Sequence, residues 1–344
     1  NKIEVTSGKK KEIVEAKKII IATGARPKIF PGMDSDGKQV ITSKEAMVLK
    51  EPPKKMVIIG AGAIGAEFAY FYNEYGTEIH LIEMMPNILP IEDEDISKEV
   101  EKSFKKSGIK IYKETKVTQI EKLKTKVKVH AEKSKEKQII DADIVLIATG
   151  VKGNIENIGL EEIGVTSEKG AITINEFNQT SVPNVYAIGD VSGPPWLAHV
   201  ASAQGHVAVE HASGHTTQPV DYTNIPGCTY CQPQVASLGM TEAIAKEKGI
   251  AIKVGRFDFR ASGKALATGD STGFVKIIFD AKYGELLGCH IVGSEATELI
   301  AELGVAKALE TTWQEIAMTV HAHPTLSEAV MEAALDAFGQ GVHQ

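Results

Sequence analysis

The alternation of apolar and polar positions along the chain predicts an α/β fold with more than one unit. Residues 2–21 have the pattern of a β-hairpin that feeds an apolar strand, Ile19-Ile20-Ile21, which ends in Ala-Thr-Gly. A second apolar run, Ile144–Ile147, ends in the same three residues. Apolar runs ending in glycine are common in α/β proteins, but the shared Ala-Thr-Gly favours two related units.

Prolines divide the rest of the chain into two parts. After Pro52-Pro53 the pattern predicts a βαβ unit with an antiparallel insertion, and after Pro219 a mixed antiparallel sheet with helices. The βαβ unit is predicted to have strands at 56–59 and Glu78–Ile82, helices at about 64–75 and 95–107, and further strands near 109–117, 125–131 and 138–147. The last part is predicted to end in helices near 295–310 and 326–338.

Composition and charge exclude several classes of function. Of the 344 residues, 43% are hydrophobic and 24% charged, which is typical of a globular protein, and the net charge of −7 argues against a nucleic-acid partner. No apolar run approaches the ~20 residues that a membrane-spanning helix needs. Lysines between Lys122 and Lys137 alternate with other residues, so we interpret them as the solvent-exposed face of a hairpin. Three cysteines are too few for a disulfide scaffold, which favours the reducing cytoplasm.

The segment 60–65, Gly-Ala-Gly-Ala-Ile-Gly, fits the dinucleotide-binding pattern G-x-G-x-x-G, with a predicted strand before it and a predicted helix after it. Gly60 permits a tight turn, Gly62 lets a pyrophosphate approach the backbone, and Gly65 lets the helix pack closely on the strand. The N-terminus of the helix supplies free N–H groups for the phosphates.

An acidic residue follows the next strand at the distance that this pattern requires. Glu83 lies 18 residues after Gly65 and comes directly after Ile82. A carboxylate there accepts hydrogen bonds from ribose hydroxyls and repels a 2′-phosphate, so we predict NAD rather than NADP as the cofactor. The alternative is a glycine turn with an incidental surface glutamate.

A second strand ends in residues that are suited to a ligand. The run 184–190 has the pattern of a strand that closes with Gly189-Asp190. Glycine lets the backbone come close to a ligand, and the aspartate can accept a hydrogen bond from a hydroxyl. From these residues alone, a simple strand-ending turn explains the run equally well.

The C-terminal region contains a candidate acid–base pair. A histidine, with an ordinary pKa of ~6.5, can take the proton of a thiol, whose ordinary pKa is ~8.5, near neutral pH. Glu328, five residues after His323, can accept a hydrogen bond from the other ring nitrogen and orient the ring. Thr325 and Glu328 also fit a capping box, in which the glutamate bonds back to the helix N-terminus. His321 is a second candidate for the base.

Cys228 and Cys231 form a C-x-x-C motif, which is typical of redox pairs and of half a metal site. The motif follows Pro226-Gly227 rather than a strand-to-helix turn, and the sequence has no second close cysteine or histidine pair spaced to complete a zinc site. We therefore expect Cys228 and Cys231 to have a structural role, without redox activity and without a bound metal.

Three motifs together resemble those of one family. The segments 321–328, His-Ala-His-Pro-Thr-Leu-Ser-Glu, and 60–67, Gly-Ala-Gly-Ala-Ile-Gly-Ala-Glu, with Ile188-Gly189-Asp190, are similar to motifs of the class I pyridine nucleotide-disulfide oxidoreductases, most closely the dihydrolipoyl dehydrogenases. The resemblance covers the whole chain. It implies an α/β fold with the remnant of an FAD-binding Rossmann-like domain, an inserted NAD-binding Rossmann domain and a C-terminal α+β dimerisation domain. The implied boundaries are 1–30 with 151–220 for the FAD domain, 31–150 for the NAD domain and 221–344 for the dimerisation domain.

The resemblance also implies roles for individual residues. It makes His323 the base, paired with Glu328, and leaves His321 in a supporting position. The residues implied to contact or neighbour NAD are Gly60, Ala61, Gly62, Ala63, Ile64, Gly65, Ala66, Glu67, Glu83, Val117 and Gly150. The residues implied to contact or neighbour FAD are Thr23, Gly24, Ala25, Gly189, Asp190, Trp196, Leu197, Ala198 and His199. Trp196 departs from the methionine expected there.

The implied function is that of a homodimeric flavoprotein. It oxidises the dihydrolipoyl groups of 2-oxoacid dehydrogenase complexes and passes electrons through a disulfide and FAD to NAD. In the family, the base comes from one subunit, and the disulfide and flavin from the other. The family's C-x-x-x-x-C motif and main flavin-phosphate loop are not found in this sequence, so we expect this chain alone not to turn over.

Two other interpretations stay open. The chain can be a catalytically silent, dimerising NAD-binding fragment, or it can derive from another flavoprotein such as a soluble transhydrogenase. Glutathione reductase fits less well, because Glu83 lies where basic residues for NADP are expected. Mercuric reductase fits less well because this sequence has no cysteine pair near its C-terminus.

Overall fold

The computed structural model describes residues 2–343, which divide into two compact units. The first unit extends to Lys28 and resumes over Val151–Tyr222, and the second comprises Ile29–Gly150 and the chain from Thr223 onward. The segment predicted to bind NAD and the segment predicted to dimerise thus belong to one compact unit. The three-domain division stays a prediction.

The first segment is a hairpin followed by short strands, as the alternation predicts for residues 2–21. The strands are β1 Lys2–Ser7, β2 Lys10–Glu15, β3 Ile19–Ile21 and β4 Ala25–Pro27. β1 and β2 pair antiparallel, and both are exposed along their whole length.

The second segment forms a parallel sheet with helices and an antiparallel insertion, as predicted. Its elements are β5 Val40–Thr42, α1 Ser43–Ala46, β6 Lys55–Ile59, α2 Ala63–Glu74, β7 Glu78–Ile82, α3 Glu94–Lys106, β8 Lys110–Tyr112, β9 Lys116–Lys122, β10 Val127–Lys133, β11 Glu136–Ala142 and β12 Ile144–Ile147. The parallel sheet has the order β5-β12-β6-β7-β8, and the insertion has the order β11-β10-β9. Buried aliphatic side chains of the sheet, such as Ile58 and Leu81, pack with Ala69 of α2 and Val100 of α3.

Two runs that were each predicted to form one strand are divided between two strands in the structure, so these two predictions are wrong. The run near 109–117 divides into β8 and the start of β9, and the run near 138–147 divides into β11 and β12. In each case the chain leaves one sheet for another, through Glu114, which has φ +55°, and through Asp143. Since strand-forming residues flank both breaks, the periodicity alone does not reveal them.

The lysine-rich stretch is a strand pair with one wet face, as predicted. In β10, Val127, Val129 and Ala131 are buried, and the residues between them are partly exposed. Lys128 lies opposite Asp141 of β11 in the antiparallel register, so a cross-strand pair of opposite charge faces the solvent.

The third segment completes the first unit. Its elements are β13 Val151–Gly153, α4 Leu160–Ile163, β14 Ser167–Glu168, β15 Ala171–Ile172, β16 Val185–Ala187, the 3₁₀ helix Gly189–Ser192 and α5 Ala198–Ala212. β16 lies parallel to β3, and β13 pairs antiparallel with β4. The two Ala-Thr-Gly motifs lead directly into β4 and β13, so the repeated motif precedes the two strands that pair.

The fourth segment is an antiparallel sheet covered by helices. Its elements are β17 Gly227–Thr229, β18 Gln234–Gly239, α6 Glu242–Glu247, β19 Ile252–Asp258, α7 Gly263–Thr268, β20 Gly273–Asp280, β21 Leu286–Gly293, α8 Ala296–Ala308, α9 Trp313–Met318, α10 Glu328–Asp336, and the 3₁₀ helices Tyr222–Asn224 and Phe259–Ala261. The strand order is β17-β18-β21-β20-β19. The alanine-rich face of α10 is buried in the core of this sheet. Across residues 2–343, no helix has the length and apolar character needed to cross a membrane.

Candidate cofactor and active sites

The turn between β6 and α2 has the geometry that its glycines predict. Gly60 has φ +99°, and a side chain there would lie 2.4 Å from the Ala148 carbonyl oxygen. A Cβ on Gly65 would lie 1.9 Å from the Gly60 carbonyl oxygen, so only glycine lets α2 approach the turn this closely. Apart from Gly62 itself and its two neighbours in sequence, no described atom lies within 4 Å of where a Cβ of Gly62 would be, which leaves that backbone open to a ligand.

A cavity of about 660 Å³ opens over this turn. Five residues that the sequence assigns to the NAD site line it: Gly60, Gly62, Glu83, Val117 and Gly150. The other lining residues are Phe30, Pro31, Met33, Ile59, Ile82, Met84, Thr115, Lys116, Thr118, Ala148 and Thr149. A glycine cradle, one carboxylate and apolar walls fit a dinucleotide. The sequence analysis missed the wall formed by residues 30–33, because they lie outside any periodic element.

The remaining residues assigned to NAD lie in or next to the start of α2. Ala61 is buried before the helix, and Ala63, Ile64 and Ala66 belong to its first turn. Glu67 is not among the residues that line the cavity; its Oε1 accepts a hydrogen bond from the Tyr230 N–H at 2.9 Å. Burial raises the pKa of the Glu67 carboxyl group. Its place beside the nicotinamide stays a prediction.

Glu83 follows β7 and is held through both carboxylate oxygens. Oε2 accepts a hydrogen bond from the Ala61 N–H at 2.7 Å, and Oε1 accepts one from the Met85 N–H at 2.8 Å. Glu83 therefore shapes the glycine turn as well as lining the cavity. Each oxygen can accept a further hydrogen bond, so the same carboxylate can also bind ribose hydroxyls.

The substitution Glu83→Gln is expected to weaken NADH binding about tenfold, because one backbone N–H would face the new amide group instead of an acceptor. Calorimetric titration with NADH measures this effect. The control is Glu78→Gln, which changes the first residue of β7, the strand that precedes Glu83, and this residue does not line the cavity. Equal affinity in both variants would show that Glu83 has no part in nucleotide binding.

Gly189 and Asp190 lie where the parallel pair of β3 and β16 ends. The Ile188 N–H donates to the Ile21 carbonyl, and Gly189, with φ +70°, starts the 3₁₀ turn. A Cβ on Gly189 would lie 3.2 Å from the Cβ of Ala201 in α5, so the turn and this helix are closely packed. A carboxylate on a tight turn at the carboxyl end of parallel strands fits the hydroxyl groups of a flavin side chain.

The other residues assigned to FAD lie in the same unit. Thr23, Gly24 and Ala25 lead into or begin β4. The Thr23 hydroxyl donates to the Asn154 carbonyl at 2.8 Å, and Arg26 forms a bidentate pair with Glu156, which the sequence analysis missed. Leu197 is the N-cap residue of α5, and Ala198 and His199 begin the helix. Trp196, just before them, is 44% exposed.

His323 and Glu328 are brought together at the start of α10. His323 Nδ1 lies 2.8 Å from Glu328 Oε1, and Glu328 Oε2 accepts a hydrogen bond from the Thr325 N–H at 2.8 Å. One Glu328 oxygen thus binds the imidazole and the other binds the Thr325 N–H, as in a capping box. The predicted capping box is nevertheless incomplete, because the Thr325 hydroxyl donates to the Ala322 carbonyl and the N-cap residue of α10 is Ser327. The hydrogen bonds from the Thr325 N–H and from His323 lower the pKa of Glu328, although partial burial acts in the opposite direction. The carboxylate is therefore ionised at neutral pH and accepts a hydrogen bond from Nδ1–H, which leaves Nε2 to accept a proton.

His321 occupies a different environment. Its Nε2 lies 2.7 Å from Glu302 Oε1 and its Nδ1 lies 2.9 Å from the Thr319 carbonyl oxygen. The side chain is 5% exposed, whereas that of His323 is 77% exposed. Since both ring nitrogens of His321 are engaged, His323 is the better placed base.

The C-x-x-C cysteines have the environment of structural residues. Cys228, Cys231 and Cys289 all lie in the described part of the chain and are free thiols. Burial raises the pKa of Cys231 to about 12, and burial also raises the pKa of Cys228. A thiol with such a pKa is almost wholly protonated near neutrality and is neither a good nucleophile nor a good metal ligand.

Iodoacetamide at neutral pH is therefore expected to leave Cys231 and Cys289 of the folded protein unmodified, because ~10⁻⁵ of a thiol with a pKa near 12 is thiolate. Intact-protein mass spectrometry measures the labelling, and the urea-unfolded chain, in which all three cysteines react, is the control. Rapid native labelling of Cys231, or a native disulfide with Cys228, would contradict the structural interpretation.

The nucleotide turn with its acidic partner, the strand-end turn and the histidine–glutamate pair together indicate a pyridine-nucleotide oxidoreductase. The sequence model of the family described as pyridine nucleotide-disulphide oxidoreductase matches residues 1–205, and that of the dimerisation domain of the same family matches residues 225–334. The chain therefore belongs to the pyridine nucleotide-disulphide oxidoreductase family. This confirms the resemblance and the fold class predicted from the sequence.

Curated relatives are similar over almost the whole chain. The dihydrolipoyl dehydrogenase of Rhizobium etli is 50% identical over 327 residues, which are 94% of this chain and 68% of that protein. The dihydrolipoyl dehydrogenase of Bacillus subtilis is 44% identical over 343 residues, which are 99% of this chain and 72% of that protein.

Two solved structures are similar to this chain in fold. LpdA of Mycobacterium tuberculosis has a TM-score of 0.89 and 28% identity, covering 96% of this chain and 72% of that chain. The HOCl-induced flavoprotein disulfide reductase RclA of Escherichia coli has a TM-score of 0.87 and 25% identity, covering 94% of this chain and 74% of that chain.

The family gives the chain its cofactors and its assembly. Its members use FAD and NAD, which confirms the two cofactors predicted from the sequence. The dimerisation domain at residues 225–334 supports a homodimer. The individual contact residues stay predictions.

Proposed function

We propose that the protein catalyses the dihydrolipoyl dehydrogenase reaction, the oxidation of dihydrolipoyl groups with NAD as the final electron acceptor. The observation that carries this proposal is the His323–Glu328 pair. It places an exposed imidazole, oriented by an ionised carboxylate, in a chain that is 50% identical to a dihydrolipoyl dehydrogenase. The NAD cavity and the Asp190 turn supply sites for the two cofactors.

His323 accepts the proton of the substrate dithiol. Because Nδ1–H of His323 donates a hydrogen bond to Glu328, Nε2 is the nitrogen that takes the thiol proton. The negative charge of Glu328 stabilises the imidazolium that results. Glu83 and the glycine turn hold the nucleotide, and Asp190 accepts a hydrogen bond from the flavin side chain. The redox disulfide that the family uses to oxidise the dithiol is not formed by the three cysteines of this sequence, and FAD, when bound, would supply the electron transfer between that disulfide and the nucleotide.

We further propose that the physiological substrates are lipoyl domains of 2-oxoacid dehydrogenase complexes, in a homodimer whose base serves the site of the partner subunit. The exposed position of His323 supports this arrangement, because a side chain with 77% exposure is accessible to a second macromolecule. The small number of cysteines and their free thiols support the reducing cytoplasm as the compartment.

The first test of this function combines the denatured intact mass and the visible spectrum of the purified protein with an assay of dihydrolipoamide oxidation. A chain longer than 37.0 kDa, or a second small polypeptide, with flavin absorbance and NAD-dependent turnover supports the proposal. None of Cys228, Cys231 and Cys289 has the environment of a reactive dithiol, so a 37.0 kDa species is expected to bind NADH without turnover. A flavin-loaded protein that reduces NADP with NADH but does not oxidise dihydrolipoamide would identify a transhydrogenase instead.

A further inference from the structure

A buried glutamine lies behind the Gly189–Asp190 turn. Gln204, in the middle of α5, is 3% exposed. Its Oε1 accepts a hydrogen bond from the Gly189 N–H at 2.6 Å, and its Nε2 donates to the Tyr222 hydroxyl at 2.7 Å. Both ends of the amide are therefore engaged, and the side chain has one favoured orientation.

The hydrogen bond to Gly189 comes at the point where the backbone has left the sheet. The preceding residue, Ile188, still donates its N–H to Ile21 of β3, but Gly189 has φ +70° and turns away from that strand. Its N–H is satisfied by a side chain from another element, because the sheet no longer supplies an acceptor. The Ser192 hydroxyl, which donates to the Gly189 carbonyl at 2.8 Å, closes the same turn.

The other end of the glutamine is anchored in the same unit. The Tyr222 hydroxyl accepts from Nε2, and the Asn178 side chain donates to the backbone carbonyl of Gln204 at 3.2 Å. The Asn178 carbonyl in turn accepts from the Ala187 N–H in β16. The glutamine is thus connected both to the strand before the turn and to the turn itself.

We propose that Gln204 is a positioning residue that holds the Gly189–Asp190 turn in the conformation that receives the flavin. This inference rests on the proposed contact between Asp190 and FAD. Gln204 acts through the backbone. Its hydrogen bond fixes the orientation of the Gly189 peptide, and the fixed turn sets the position of the Asp190 carboxylate. An apolar side chain of similar size would fill the space but leave the Gly189 N–H and the Tyr222 hydroxyl without this partner.

A pair of substitutions separates the hydrogen bonds from the packing. Gln204→Leu keeps most of the volume and removes both bonds. Gln204→Glu keeps them, because a carboxylate can accept from the Gly189 N–H and from the Tyr222 hydroxyl acting as a donor. The control is Gln218→Leu, the same change at an exposed position of the same unit.

Two measurements are made on each variant. Hydrogen exchange of the Gly189 amide, followed in the protein without flavin, is expected to be at least tenfold faster in Gln204→Leu and unchanged in Gln204→Glu and Gln218→Leu. The FAD dissociation constant of the flavoprotein is expected to rise about tenfold in Gln204→Leu, while the NADH dissociation constant stays the same.

A further variant, Asp190→Ala, distinguishes a failure of the positioning role of Gln204 from a failure of the proposed contact between Asp190 and FAD. If Asp190→Ala weakens FAD binding and Gln204→Leu leaves both FAD binding and Gly189 exchange unchanged, the positioning role is overturned while the flavin site stands. If neither variant affects FAD binding, the assignment of Asp190 is wrong and this inference falls with it. If Gln204→Glu loses as much flavin as Gln204→Leu, the effect comes from the disturbed core rather than from the two hydrogen bonds.

Discussion

Replacing Lys276 with methionine is expected to lower the free energy of unfolding by about 3–5 kcal/mol, because it leaves a buried carboxylate without its counter-charge. The Lys276 side chain is 3% exposed, and so is that of its partner Asp93. Nζ lies 2.7 Å from Asp93 Oδ1 and 2.7 Å from Asp95 Oδ2, and it also contacts Glu242. Burial alone would raise the pKa of Asp93, but the hydrogen bond and charge of Lys276 outweigh it and the pKa is lowered.

The cluster joins three elements of one unit. Lys276 lies in β20, Asp93 is the N-cap residue of α3, and Glu242 is the first residue of α6. The loop before α3 is also connected to the nucleotide turn, because the Leu89 N–H donates to the Ala61 carbonyl at 2.7 Å. Loss of the lysine is therefore expected to loosen the loop beside the NAD cavity as well as to destabilise the unit.

Urea unfolding followed by circular dichroism measures the change. The matched control is Lys246→Met, which changes an exposed lysine of α6 that lines a surface cavity together with Lys276. For this variant a change within about 0.5 kcal/mol is expected. A second variant, Lys276→Met combined with Asp93→Asn, is expected to recover part of the loss, since it removes the unpaired charge. If Lys276→Met is no less stable than Lys246→Met, the cluster does not contribute to folding.

The sequence predicts the nucleotide turn well because all of its requirements lie within one βαβ unit. Gly60 and Gly65 are needed for steric reasons that a local pattern contains: a positive φ and a close contact between helix and turn. Glu83 follows the next strand, so its position could also be counted from the chain. The spacing does not predict that Glu83 also holds the glycine turn. This role depends on the hydrogen bonds from the Ala61 and Met85 N–H groups, which form only when the loop is folded.

One local motif has two different outcomes in this chain. Thr312 and Glu315 form a complete capping box at the start of α9, a helix that the sequence analysis missed although the motif was present. At Thr325, the corresponding Glu328 divides its oxygens between the Thr325 N–H and His323. The motif alone cannot distinguish these cases, because the competing imidazole lies outside it.

Contacts between distant parts of the chain could not be predicted. Lys276 stands in an apolar strand, and its burial is explained by three acidic partners, of which the buried Asp93 lies 183 residues away in sequence. Gln204 has no unusual neighbours in sequence, and its partners come from a strand end and from Tyr222. Burial of a polar side chain is decided by the partners that the fold supplies, and a single sequence does not specify them.

The substitution His323→Gln is expected to lower kcat/KM for dihydrolipoamide oxidation by about 10²–10⁴-fold, the range typical of the loss of a general base. Glutamine can still donate a hydrogen bond to Glu328 but cannot take a proton from a thiol at neutral pH. The NADH dissociation constant should not change, because His323 is not among the residues that line the NAD cavity. Steady-state assays of the flavoprotein and direct NADH titration measure the two quantities.

Two further variants test the geometry around the base. His321→Gln is expected to reduce kcat/KM by less than about tenfold, because both ring nitrogens of His321 are bound by Glu302 and the Thr319 carbonyl and serve the structure. Glu328→Gln keeps an acceptor for Nδ1 but removes the charge that stabilises the imidazolium, so we expect a loss between those of the two histidine variants, about 10–10²-fold. If His321→Gln abolished turnover and His323→Gln did not, the base would be His321, and the exposed pair of His323 and Glu328 would serve only the structure of the chain before α10.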